Sequence, residues 1–203
     1  MATDHDALRG WADTMATLHE DAGWTGATPH RLLIEHGEEA TFSPLPDGES
    51  CGVAKNCYGN ATKRALLGAE GLTYYEGLAL VDGRPIEHAW CQDADGRVYD
   101  VTLRHNDPSC PYCDGEGKLH PADHYDYEED PENEWDEFEE EEISCEMCSG
   151  SGDWEAIDRT GTAYLGIAIP ADVLRAAVME TQTYGVLFTH PGKVARWLGQ
   201  TTS

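Results

Sequence analysis

Two copies of one eight-residue pattern, CxxCxGxG, constrain this chain more than any other feature. The first is Cys110-Pro-Tyr-Cys113-Asp-Gly115-Glu-Gly117; the second is Cys145-Glu-Met-Cys148-Ser-Gly150-Ser-Gly152. Two intervening residues let both thiolates of a knuckle point at one ion. The glycines permit the positive-φ turn that brings backbone amides toward sulfur. Two knuckles supply four sulfurs, the closed tetrahedral set of a structural zinc site. The expectation is one structural Zn²⁺ held by Cys110, Cys113, Cys145 and Cys148.

The chain has 203 residues and a net charge of −26, from 13 Lys and Arg against 39 Asp and Glu. A protein that grips a phosphate backbone needs the opposite sign, which argues against direct nucleic-acid binding. The acid is unevenly spread: residues 126–142 (DYEEDPENEWDEFEEEE) hold 12 acidic residues and no Lys or Arg. This run lies between the knuckles, so zinc would close a loop whose interior is mostly charge. Such a loop buries little apolar surface, and the metal becomes the source of its order. Three readings of the acid stay open. They are a solvated insert, a salt-loving host that explains only the background charge, and a decoy or docking surface for a basic protein or peptide.

No apolar run is long enough for a transmembrane helix. The first twenty residues carry acids and no apolar stretch, so no secretory leader and no membrane association are expected. Seven cysteines in a chain read as cytoplasmic point to metal or catalysis before disulfides.

The paired octets resemble the zinc-binding region of the DnaJ chaperone family, over residues 108–153. That family carries four such repeats and two zinc ions; this chain has two repeats, enough for one ion. No His-Pro-Asp triplet occurs anywhere, so a J domain is lacking. The resemblance implies a zinc hairpin and not a co-chaperone. His105, His120 and His124 lie nearby and are read as surface residues, because four cysteines fill the site.

Cys51, Cys57 and Cys91 remain. Cys57 opens Cys57-Tyr-Gly-Asn60-Ala-Thr-Lys-Arg-Ala-Leu-Leu, where Ala61, Ala65 and Leu66 recur at helical spacing and Gly68 is a stop. Cys57 therefore sits at a helix N-terminus, where the dipole favours a thiolate. The alternative is a buried structural cysteine. Cys51 is a rival nucleophile, but Gly52-Val-Ala does not look like a helix start.

Three strands are expected next: 72–81, then 85–91, then 97–103, with Asp82-Gly83 and Asp93-Ala-Asp-Gly96 as turns. His88 falls on the second and Asp100 on the third. Opposite residues of an antiparallel pair share a face, and a slip of one residue reverses it. A connection with an odd number of residues, with Gly96 at its left-handed position, puts the two on one face; an even one separates them.

The order Cys57, His88-Ala-Trp90, turn, Asp100-x-Thr102 resembles the transglutaminase-like branch of the papain-like cysteine enzymes. The match covers about residues 45–103 and adds 163–170 as a further strand. It implies a nucleophilic Cys57, a His88 base, and an Asp100 that orients His88 and stabilises its charge. Val101 stands where that family often has Pro. Asn56 or the Cys57 amide is the candidate oxyanion donor. The competing reading of His88 is a sheet histidine packed on Trp90.

The expected fold class is α+β: a papain-like, transglutaminase-like core of helix on antiparallel sheet, with an inserted zinc-binding hairpin. The core takes 1–105 and 154–203, and the hairpin 106–153. The insertion begins a few residues after Asp100, so the hairpin is expected near the proposed active site. Helices are expected over 5–21, with Leu8, Trp11, Met15 and Leu18 on one face, and over 29–36, 171–180 and 191–198. A strand is expected over 183–189. Three functions are weighed. The first is a cysteine hydrolase or acyltransferase acting on an amide or peptide bond. The second is a non-catalytic acidic zinc protein that captures a basic partner, and the third is DnaJ-like chaperone activity. The compact mix of modules would suit a phage or mobile-element protein.

Overall fold

The computed structural model describes residues 3–46, 52, 56–68, 71–103, 116–119, 143–145 and 161–201. The chain divides into two compact units, one of Met1–His105 with Arg159–Ser203 and one of Asn106–Asp158.

The larger unit opens with helix α1 (Asp4–Asp21). Thr3 starts it with a capping box: its hydroxyl accepts the Asp6 N–H at 3.1 Å, and the Asp6 carboxylate accepts the Thr3 N–H at 2.7 Å. The buried stripe is Leu8, Ala12 and Ala16, whereas Trp11 and Leu18 are exposed. Large apolar side chains suggest another face, but two alanines in line let the helix approach its neighbours closely. Helix α2 (Pro29–His36) follows as expected, with Thr28 accepting from the Arg31 amide and Pro29 in the first turn.

Strand β1 (Glu38–Thr41) has no strand pattern of its own; three of its four residues are exposed. Helix α3 (Cys57–Leu67) leads to β2 (Thr73–Val81), β3 (Arg84–Gln92) and the two-residue β4 (Val98–Tyr99). Strand β7 (Gly161–Ile169), helix α4 (Ala171–Thr181) and helix α5 (Pro191–Thr201) complete the unit.

The sheet order is β1-β7-β2-β3-β4, with every pairing antiparallel. Thus β7, distant in sequence, lies between β1 and β2. One face carries Tyr74, Leu78, Leu80, Cys91, Leu165 and Ile167 against the helices. The other carries Tyr75, Ala79, Trp90, Val98 and Tyr164. The architecture is α+β, with helices and an antiparallel sheet.

Residues 183–189 form no strand, contrary to expectation. The buried Glu76 carboxylate takes the amides of Val186, Leu187 and Phe188 at 2.7, 2.8 and 3.2 Å, so these donors serve a side chain instead of a ladder. Gly185, at φ +91°, turns the chain into this arrangement, and a Cβ there would come within 3.1 Å of the Tyr58 ring.

In the smaller unit, β5 (Lys118–Leu119) pairs with β6 (Ile143–Ser144) in antiparallel register.

Candidate active site

Helix α3 begins at Cys57. Asn56, the residue before it, has φ −111° and ψ 48° and makes no side-chain cap, and the first turn holds no acid. The first ladder bond runs from the Asn60 N–H to the Asn56 carbonyl at 2.9 Å. The amides of Cys57, Tyr58 and Gly59 therefore precede the ladder, and Asn56 does not cap them. Cys57 itself is half-buried.

His88 and Asp100 come from β3 and the residue after β4. The register pairs Cys91 with Tyr99 and Gln92 with Val98. The Asp93 N–H donates to the Arg97 carbonyl at 3.1 Å, closing a three-residue turn that ends in Gly96 at φ +79°. Asp93 Oδ1 braces this turn by accepting the amides of Asp95 and Arg97. The odd count sends His88 and Asp100 to one face. There the His88 Nε2–H donates to Asp100 Oδ2 at 2.7 Å, with both residues 2% exposed.

Every lone-pair direction of Asp100 is engaged. Oδ1 accepts the amides of Thr102 (2.9 Å) and Leu103 (3.0 Å); Oδ2 accepts from His88 and from the Tyr164 hydroxyl (2.9 Å). Burial alone would raise its pKa. The His88 charge and the hydrogen bonds outweigh burial and hold the carboxyl below the usual range. Burial likewise opposes a charged imidazole. The Asp100 carboxylate and the nearby Cys57 sulfur outweigh it and raise the His88 pKa to about 10. With Nε2 engaged by Asp100, Nδ1 is the ring nitrogen left for other chemistry.

The surroundings hold this pair in place. Trp90 stacks beside His88, with ring centroids 6.3 Å apart and planes 14° apart. Its own ring lies over Gly166, where a Cβ would come within 2.4 Å of the indole. His88 thus both packs on Trp90 and binds Asp100; the two readings of this residue coexist. Asn60 Nδ2 donates to Thr102 Oγ1 at 2.9 Å, and the Gly52 N–H donates to the Val101 carbonyl at 2.7 Å. These bonds tie α3 and the segment before it to the Asp100 turn. Comparison with protein-family models, curated proteins and solved structures finds no match for this chain.

Cys91 is a core residue. Its Sγ lies 3.4 Å from the Ala61 carbonyl, and burial pushes the thiol up to about 12. Cys51, Cys110, Cys113, Cys148, His105, His120 and His124 lie outside the described residues. Cys145 is buried, and its N–H donates to the Gly117 carbonyl at 2.9 Å. The last residue of the first octet is thereby bonded to the first residue of the second.

The sequence does not single out two buried polar residues of this unit, Tyr164 at the site and Glu76 in the core. Tyr164 shows there only as one aromatic of a strand. Glu76 carries a weak signal: an acid in the middle of the otherwise apolar run LTYYEGLALV.

Proposed function

We propose that the larger unit is a cysteine hydrolase or acyltransferase acting on amide or thioester carbonyls through Cys57, His88 and Asp100. The observation that carries this reading is the buried 2.7 Å His88–Asp100 bond beside a cysteine at an uncapped helix N-terminus. In this scheme the Cys57 thiolate attacks the carbonyl carbon. The Cys57 amide, with Asn56 beside it, is the candidate donor to the developing oxyanion. His88 gives its proton to the leaving amine as the C–N bond breaks, leaving an acyl-thioenzyme. His88 then takes a proton from water or an acceptor amine as that molecule attacks the thioester. Breaking the C–S bond returns Cys57, and the proton on His88 restores the starting pair. Asp100 keeps the imidazole oriented and balances its charge throughout.

The fold reading that goes with this is a papain-like, transglutaminase-like core. The zinc reading rests on the paired octets and on the Cys145–Gly117 bond, which joins their ends across the β5–β6 ladder. A residue set of four cysteines fits Zn²⁺, which would supply order and no chemistry.

The test is a panel of activated esters, thioesters and peptide amides. An acyl adduct on Cys57, found by peptide mass spectrometry and absent in Cys57→Ser, is the expected result. No adduct and no turnover across the panel would overturn the enzyme reading. The strong negative charge favours a second reading, capture of a basic protein or peptide. Under it, function would survive Cys57→Ser and fail on deletion of 126–142.

A further inference from the structure

Tyr164 reaches the candidate triad from β7, the strand that tertiary pairing inserts between β1 and β2. Its hydroxyl donates at 2.9 Å to Asp100 Oδ2, the same oxygen that accepts from His88 Nε2 at 2.7 Å. The phenol is fully buried, and burial together with the Asp100 charge holds its proton in place, so toward Asp100 it acts as a donor. Two strong donors on one carboxylate oxygen compete for its charge.

We propose that Tyr164 is a positioning residue that sets how tightly Asp100 grips His88, and thereby how readily His88 surrenders its proton. This rests on the reading of His88 and Asp100 as the acid–base pair of the site. Among the described residues, the titratable groups acting on His88 are Asp100 from the end of β4, Cys57 from α3 and, through Asp100, Tyr164 from β7. With the phenol gone, the charge on Oδ2 is shared with one partner fewer. The His88–Asp100 pair tightens, and the imidazolium persists to higher pH.

The experiment follows the His88 ring by ¹H–¹⁵N NMR through a pH titration of the full chain. Tyr164→Phe removes only the hydroxyl. It is expected to shift the His88 midpoint upward by about half a pH unit or more. Site-specific 3-fluorotyrosine at 164, a stronger donor of nearly the same shape, is expected to shift it downward. Opposite signs from two nearly isosteric changes exclude a purely structural effect. If one variant fails to fold, the sign of the shift in the other still tests the proposal. In an Asp100→Asn background the Tyr164 changes should have no effect, because their route to His88 is gone. An unchanged midpoint in either folded variant would overturn the proposal. Acyl transfer is not needed for this readout. An inactive wild-type protein with the expected shifts overturns the hydrolase reading alone.

Discussion

His88 and Asp100 form a buried ion pair joined by one 2.7 Å hydrogen bond, with opposite pKa displacements on the two partners. An unfolded histidine releases its proton near pH 6.5, whereas the folded His88 holds it to about 10. This contribution to stability is complete below about pH 6.5 and is lost as pH rises through about 10. Asp100 behaves in the mirror sense: its contribution is present above the ordinary value of 3.8 and is lost as pH falls below it. Urea unfolding at a series of pH values should therefore show stability declining from neutral toward alkaline pH. His88→Gln should flatten that decline, and a decline of equal slope in this variant would count against the pair.

The reactivity of Cys57 should depend on His88. At about pH 6, iodoacetamide should label Cys57 at least roughly tenfold faster in the native protein than in His88→Ala, read by peptide mass spectrometry. Asp100→Asn should give an intermediate rate. Equal rates in all three would make the cluster a scaffold.

Glu76 links β2 to the turn after α4 through three backbone amides, and also accepts the Tyr74 hydroxyl at 3.0 Å. Glu76→Gln puts an amide nitrogen where an acceptor is needed and leaves a buried N–H without its partner. The expected cost is roughly 2–3 kcal/mol in chemical denaturation. Hydrogen exchange at Val186 and Leu187 should accelerate with it.

Gly166→Ala should disturb the site from behind. Its Cβ would lie 2.4 Å from the Trp90 ring, which stacks beside His88. Overpacking of this kind costs about 1–3 kcal/mol. Tryptophan fluorescence and the Cys57 labelling rate should change together, whereas Gly10→Ala, at a position with open space around it, should change neither.

Metal analysis should find one zinc per chain, released by a strong chelator or by Cys113→Ser. Limited proteolysis should then cut within 106–158 first, with the unit of 1–105 and 159–203 still resistant. Simultaneous loss of both units on chelation would show that zinc supports the whole chain.

Much of the core was legible because its determinants are local. Thr28 with Pro29 marks the start of α2 and Gly68 the end of α3 by chemistry within a few residues, whereas the Thr3–Asp6 capping box of α1 is a finding of the structure. Asp82-Gly83 and Gly96 mark the turns of the β2-β3-β4 meander, and Gly96 carries the odd count that brings His88 and Asp100 to one face. On α1 the expected stripe holds at the buried Leu8 and the half-buried Met15 and fails at Trp11 and Leu18, which residue size, taken alone, favours. Close packing selects Ala12 and Ala16.

The sequence by itself determined the helix that starts at Cys57, the hairpin that carries His88 and Asp100, and the spacing of the paired octets. Each depends on dihedral preferences and side chains within one turn or hairpin. Only the tertiary structure decided that β7 enters the sheet beside β2, that Tyr164 thereby reaches Asp100, and that Glu76 holds residues 186–188 in a turn. Those relationships join residues 64 to 112 positions apart. At that separation no local propensity discriminates among partners. The choice falls to burial, register and the need to satisfy each buried donor and acceptor.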